Sequence, residues 1–364
     1  NDIMHRTMGL AEDFPEEIAY QYLVLYMLDG YPVVPGSSQS SEILACVDRY
    51  DTLYREELMA EDSEDERLPH MKKLTGIYLK LGDTAKGAAY AQRAAEETGD
   101  PFLTEQAMYG YFMLAQGEEC LELAEAALKE DPDSFIALSY AGRAAMLLDD
   151  YPAVADYGVR LSDIAKESDD PYADYMLYQF VSYLTVEDSW YAMSDRFPGA
   201  ACYHELPEEQ LKQIQENEYL NAYIQAFAAS TDNTVVDLGY YRWEDPEGER
   251  ALELADALIS MKEEAGFPHY IRGMVLNGVD RYEEAIREYT AALAQQPDEH
   301  YIWYALGACY EELGDLQNAQ QAFQISLDIM PKIGSSHTGD WTGVSVHAGF
   351  ALERVRGQLA QGGN

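Results

Sequence analysis

Positive charge is what this sequence has least of. Its 364 residues carry 24 Lys and Arg against 66 Asp and Glu, a formal net charge of −42. A surface that negative repels phosphate backbones and anionic headgroups, so nucleic acid and acidic membranes are poor partners and cationic proteins or peptides are favoured ones. The same acidity also serves to keep a long exposed surface soluble. Cysteine is scarce as well: Cys46, Cys120, Cys202 and Cys309 stand far apart, with no CxxC or zinc-ligand spacing. Neither a metal site nor a disulfide framework is expected, and isolated cysteines on helices read as small buried apolar residues. There is no run of about 18 apolar residues that could cross a bilayer. The nearest candidate, Ile18 to Leu28, is too short, contains Gln21 and several tyrosines, and reads as the first buried helix.

Catalytic signatures are missing too. His204-Glu205-Leu206-Pro207-Glu208 begins like a zinc-binding helix but lacks the second histidine, and Pro207 breaks the helix such a site needs; a loop histidine is expected. Neither GxxxxGK[ST] nor GxGxxG occurs, which removes the usual phosphate cradles. Ser335, Ser336, His337, Asp340 and His347 fall near a Gly-Ser-rich connector without the GxSxG turn that exposes a nucleophile. The acidic run Glu61 to Glu66 lacks the spacing and glycine of a calcium loop and reads as a solvated bend. No catalytic residue, cofactor or metal is expected.

What is present is a hydrophobic fraction of 47%, enough for a sizeable core, and a repeat. Trp303, Leu306, Gly307, Tyr310, Gly314, Ala319, Phe323, Leu327 and Pro331 form one unit. A step of 34 residues back gives His269, Arg272, Gly273, Leu276, Asp280, Ala285, Tyr289, Leu293 and Pro297; a second step gives Val235, Leu238, Gly239, Arg242, Pro246, Ala251, Ala255 and Ile259. Small residues recur in register, at Gly239, Gly273, Gly307 and at Ala251, Ala285, Ala319. Such spacing predicts two short helices crossing closely at the small residues, with large residues filling the layer between units. Leu313-Gly314-Asp315 reads as a left-handed glycine ending one helix and an aspartate capping the next. Pro297 and Pro331 stop the second helices.

The run Trp303-x2-Leu306-Gly307-x2-Tyr310, then Ala319-x3-Phe323, then Pro331, resembles the tetratricopeptide repeat family nearly letter for letter. The resemblance covers residues 232–333 strongly. It is fainter over 64–167, where Tyr78-x2-Leu81-Gly82-Asp83 repeats the turn, Ala91 stands at the position of Phe323, and Ala141-Gly142 resembles Leu306-Gly307. The expected fold is therefore all-α, a right-handed solenoid of helical hairpins with a C-terminal capping helix. Its expected parts are an N-terminal helical cap (1–63) with two helices around the Pro32–Gly36 break, diverged repeat-like units (64–167), an irregular helical insert or degenerate unit (168–231), three repeat units (232–333), and a linker with capping helix (334–364). Within the insert, helices are expected over Tyr172 to Leu184 and Glu208 to Ala229; Trp341 to Gln361 is expected to form the cap.

The resemblance implies that the first helix of each unit lines a concave, partner-binding face. Positions 2, 5, 9 and 12 of those helices are not committed to packing. Here they are Asn233, Val236, Tyr240 and Trp243, then Phe267, Tyr270, Met274 and Asn277, then Tyr301, Tyr304, Ala308 and Glu311. Aromatics replace the polar residues of a solvated face, which is how interaction surfaces are commonly marked. The candidate groove is Tyr240, Trp243, Phe267, Tyr270, Met274, Tyr301, Tyr304 and Glu311; with 29 tyrosines in the chain, packing between units is the competing reading. The family's basic clamp for chaperone-peptide carboxylates has no counterpart, since Val236, Tyr270 and Tyr304 occupy its place. The expected function is a protein- or peptide-binding scaffold that favours partner segments carrying Lys or Arg. Capture of a glycan or small ligand at a cell surface is the alternative, and an enzyme site within 168–231 a further one. Asn1 is expected to follow a processed or removed segment. The acidity and scarcity of lysine fit the outer domain of a membrane-anchored bacterial protein, with a cytoplasmic adaptor as the alternative.

Overall fold

The computed structural model describes residues 2–28, 37–57, 59, 64–185, 203–230, 248–329 and 343–362. They are helical, with no strand among them. The chain divides into two compact units, one formed by residues 1–114 and the other chiefly by 115–330 and 340–364.

The first unit contains α1 (Asp2–Asp13), α2 (Ile18–Met27), α3 (Ser38–Glu57), α4 (Glu64–Lys80), α5 (Thr84–Thr98) and α6 (Pro101–Met113). Three helices, rather than two, precede residue 64, because Phe14 and Pro15 separate α1 from α2. The expectation of a first buried helix at Ile18 to Leu28 is corrected: α2 is second in order and only one side of it is covered. Val24, Leu25 and Leu28 are buried while Tyr22, Leu23 and Tyr26 are exposed. Gln21 is buried because its side-chain amide donates to the Ala11 carbonyl at 2.7 Å, satisfying a group at the end of α1. Helix α4 begins within the acidic run, at Glu64, so at least its second half is helix rather than bend.

The second unit contains α7 (Gly117–Glu130), α8 (Phe135–Leu147), α9 (Tyr151–Glu167), α10 (Pro171–Thr185), a single 3-10 turn (Tyr203–Glu205), α11 (Glu208–Glu216), α12 (Glu218–Ser230), α13 (Glu249–Met261), α14 (Gly266–Gly278), α15 (Tyr282–Gln295), α16 (His300–Glu312), α17 (Leu316–Ile329) and α18 (Gly343–Gly362). Pairs such as α8/α9, α14/α15 and α16/α17 are the hairpins, and α18 packs on α17 as the cap. The helix expected over Glu208 to Ala229 is two helices. Asn217 stands between them in an extended conformation, and its Oδ1 accepts the Leu220 N–H at 2.9 Å, which starts α12 afresh. Pro207 precedes α11 and opens it rather than breaking it. The first helix expected for the unit at 232 lies outside the described residues; α13 packs against α12.

Turn chemistry explains where helices stop. Gly82 and Gly314 have φ of 88° and 73°, and the aspartate after each caps the next helix: Asp83 accepts from the Lys86 N–H and Asp315 from the Asn318 N–H, both at 3.3 Å. The same left-handed turn recurs without glycine at Ala115, Asp149 and Asp280. Gly82, Ala115 and Asp149 follow at intervals of 33 and 34 residues, and Asp280 and Gly314 at 34. The backbone keeps the repeat where the side chains have drifted.

The recurring small residues act somewhat differently from the expectation. Ala285 and Ala319 are fully buried, as close crossing requires. The glycines, however, make room for a ring: a Cβ on Gly273 would stand 2.5 Å from the Tyr289 ring. Three of the four cysteines, Cys46, Cys120 and Cys309, are free and buried; Cys202 lies outside the described residues.

Candidate partner-binding face

Helices α10, α14 and α16 carry one aromatic cluster. Phe267 opens α14 and is fully buried. Its ring stacks on Tyr178 of α10 at 4.6 Å between centroids and lies 6.2 Å from Tyr301 of α16. Tyr270, one turn along α14, meets Tyr301 edge-on at 5.3 Å and Tyr178 edge-on at 6.0 Å. These offset and edge-on arrangements are the ones that ring quadrupoles prefer. Tyr178, Tyr270, Met274 and Tyr301 are half-buried, so each keeps some surface toward solvent. Burial lifts the hydroxyls of Tyr270 and Tyr301 well above the ordinary tyrosine range, so these rings stay neutral and act as apolar bodies with a polar tip.

The sequence-derived candidates thus separate into groups. Tyr270, Met274 and Tyr301 keep part of their surface exposed on α14 and α16. Phe267 is corrected from a lining residue to a floor residue, since its ring is covered on all sides by Tyr175, Tyr178, Tyr270 and Tyr301. Tyr304 turns toward the C-terminal cap and packs on Phe323 of α17 at 5.7 Å. Glu311 is bound to the cap: its two carboxylate oxygens accept from Nε and a terminal nitrogen of Arg354 on α18, both at 2.7 Å. Tyr240 and Trp243 lie outside the described residues. Tyr178 is a member that the repeat register does not reveal, because α10 falls in the stretch without one. Its signal in the sequence is the tyrosine series Tyr172, Tyr175 and Tyr178 along one helix.

Two buried carboxylates flank this face. Glu299, just before α16, is pushed up to about 7 by burial. Asp174 lies one turn before Tyr178 on α10 and is pushed up to about 6, again chiefly by burial. A polar network lines the other side of α14. His269 Nδ1 lies 2.8 Å from Glu288 of α15, and Arg272 bridges Glu288 at 2.8 Å and Asp256 of α13 at 2.6 Å. The hydrogen bond that His269 donates to Glu288 raises the His269 pKa above its usual value. No cluster of His, Cys, Asp and Glu among the described residues could hold a metal ion. Among those same residues, no helix is long and apolar enough to cross a membrane.

A helical-hairpin repeat array with a capping helix is thereby defined. Comparison with known families matches residues 272–332 to the tetratricopeptide repeat. Those residues, α14 to α17, carry the tetratricopeptide repeat, and the rest of the second unit shares their helical-hairpin form. Among solved structures it is similar to a tetratricopeptide repeat protein from Parabacteroides merdae, with 10% identity, 98% of this chain and 100% of that one covered, and a TM-score of 0.36. It is also similar to a thermophilic repeat protein of Thermus thermophilus, with 17% identity, 68% and 97% covered, and a TM-score of 0.33. A third is YrrB, described as a repeat protein with an unusual peptide-binding site, with 15% identity, 71% and 97% covered, and a TM-score of 0.25. No curated protein sequence matches the chain.

Proposed function

We propose that this protein is a scaffold that binds a protein or peptide segment on the aromatic face of α10, α14 and α16, and that it favours segments carrying Lys or Arg. The observation that carries this reading is the trio Tyr178, Tyr270 and Tyr301, each mostly buried but retaining some exposed surface, whose rings lie side by side on three different helices. Exposed ring faces bind aliphatic stems and cations, through apolar contact and cation–π attraction. The net charge of −42 would draw cationic segments toward the molecule and repel acidic ones. Tetratricopeptide arrays serve protein interaction in general, and the preference for a basic partner is this chain's own expected feature.

The test is an array of synthetic peptides of graded charge, probed with the parent and with a Tyr270→Ala, Met274→Ala variant whose helicity is confirmed by circular dichroism. Retention of basic-aromatic peptides by the parent, weakened by the variant and by salt, supports the reading. Equal retention by both proteins would sink it. An oligosaccharide array probed in parallel, with binding that ignores salt, would favour the glycan alternative instead.

A further inference from the structure

Helix α2 holds no charged residue among its ten, in a chain whose formal charge is −42. Its inward side is committed: Val24, Leu25 and Leu28 are buried, and Gln21 is held by the Ala11 carbonyl. The residues it leaves exposed are Ala19, Tyr22, Leu23 and Tyr26, whose spacing of three, one and three places them in a single stripe. Tyr26 is 62% exposed, Tyr22 48% and Leu23 43%. A helix presents such a stripe to another helix, yet none of the described helices covers this one.

The two ends of the stripe carry opposite charge. Ahead of it Glu12, Asp13, Glu16 and Glu17 are all exposed. At its far end two lysines of α4 gather: Lys73 Nζ lies 6.0 Å from the centre of the Tyr26 ring, and Lys80 Nζ donates to the Leu28 carbonyl at 3.4 Å. These lysines belong to a positive island, since residues 67–95 hold six Lys and Arg against one acid, Asp83. Lys80 has a use within the chain, at the C-terminus of α2. The tyrosine and leucine surface between the ends has none.

We infer that α2 is the seam of a homodimer, in which two copies of the chain pair this helix antiparallel about a two-fold axis between Tyr22 and Leu23. A two-fold pairing needs a self-complementary patch. About this axis Tyr22 meets Leu23 of the other copy, and the bulky, most exposed Tyr26 comes opposite the small Ala19. Glu17 comes level with Leu28 of the other copy, where Lys80 sits, so acidic end faces basic end twice. Parallel pairing would set like ends together. The charges also argue for a second copy over other occupants. A basic segment would meet Lys73 and Lys80, and an acidic helix would be repelled at Glu12 to Glu17. At physiological ionic strength charges more than about 8 Å apart are largely screened, so the local balance at α2 outweighs the general repulsion of two acidic chains. Tyr22, Leu23 and Tyr26 leave on the order of 300 Å² open, counting about 150–250 Å² for a whole aromatic side chain. That is an apolar centre for an interface of about 800 Å² per copy, rimmed by the charged ends.

Sedimentation equilibrium of the full chain tests this, over about 1 to 100 µM, where a modest interface of this size titrates. The average mass should climb from 41.0 kDa toward twice that value. Leu23→Asp, at an exposed position, should leave helicity and thermal midpoint unchanged and hold the chain monomeric throughout. Glu16→Lys with Glu17→Lys should weaken the dimer by about tenfold, through like charges at both ends. That variant is less negative overall, so a change in general repulsion alone would tighten association, and the sign separates the two causes. Adding Lys73→Glu should recover part of the loss. A monomer at every concentration, a dimer that survives Leu23→Asp, or one that the glutamate reversals tighten or leave unchanged would each overturn the seam. So would a loss that Lys73→Glu does not relieve.

Discussion

The ring of Phe323 fills the space that a side chain on Gly307 would need, with Cδ1 and Cε1 both 2.8 Å from the position of a Cβ there. Gly273 stands in the same relation to Tyr289 one unit earlier. Both rings are buried on the second helix of their hairpin, so neither has free volume to retreat into. Gly307→Ala and Gly273→Ala should therefore destabilise the second unit by about 1–3 kcal/mol each, the usual range for overpacking. Chemical denaturation of single variants checks this. A cost below a few tenths of a kcal/mol would mean that the rings can move aside. Gly349, where an added Cβ would meet nothing within 4 Å, is the control.

The left-handed turns give a prediction of opposite sign. Ala115 has φ of 55° where Gly82 and Gly314 fill the equivalent place. An L-residue in this region costs about 1–2 kcal/mol, against a smaller entropic cost of about 0.5–1 kcal/mol for glycine. Ala115→Gly should raise the thermal midpoint by a degree or more, which corresponds to about 0.5 kcal/mol of net gain. Gly314→Ala should lower it. If both substitutions shift the midpoint in the same direction, the turn conformation is not what sets these costs.

Much of this architecture could be read in the sequence because a repeat states each constraint several times. The glycine and alanine register, the Leu-Gly-Asp turn and the stopping prolines all recur at one spacing, and each has a local physical cause. What could not be read depends on contacts without a period. Asp174 reaches Phe267 across 93 residues, from a helix that has no repeat register. Arg354 reaches Glu311 from a cap that is not a repeat at all. His269 and Arg272 hold the positions of Trp303 and Leu306, yet they form an ion network with Glu288 and Asp256 instead of an apolar layer. Alignment gives the place of a residue but not its partner.

The cap contact can be measured directly. The Glu311 carboxylate is largely covered while Arg354 is about half-exposed, and the pair is bidentate. Bidentate geometry places such a pair toward the upper end of the surface range, about 0.5–1 kcal/mol of coupling at low salt. A double-mutant cycle with Glu311→Gln and Arg354→Gln should show that coupling, and it should shrink in 0.5–1 M salt as screening increases. Additive single effects would assign the cap's attachment to its other contacts, chiefly the buried Ala351, Leu352 and Val355 and the hydrogen bond from Arg356 to Gln324.

Stability should peak in mildly acidic solution, and the sign follows from each group. Asp174 and Glu299 have folded-state values near 6 and 7, above their unfolded values near 4. Their contribution is fully present below pH 4 and is lost as pH rises through 6 and 7. His269 is also raised, by its hydrogen bond to Glu288, so its contribution is present below about 6.5 and is lost as pH rises beyond that. Glu288 is lowered, which works the other way: its contribution is present above the ordinary glutamate value and is lost as pH falls toward its folded one. The thermal midpoint should accordingly rise from pH 8 to about pH 5.5 and decline again below about pH 4. Glu299→Gln should flatten the limb between pH 6 and 8, whereas Glu288→Gln should flatten the acid limb and remove the His269 contribution. A midpoint that rises steadily from pH 5.5 to pH 8 would show that the buried carboxylates are relieved by neighbours other than those seen around them.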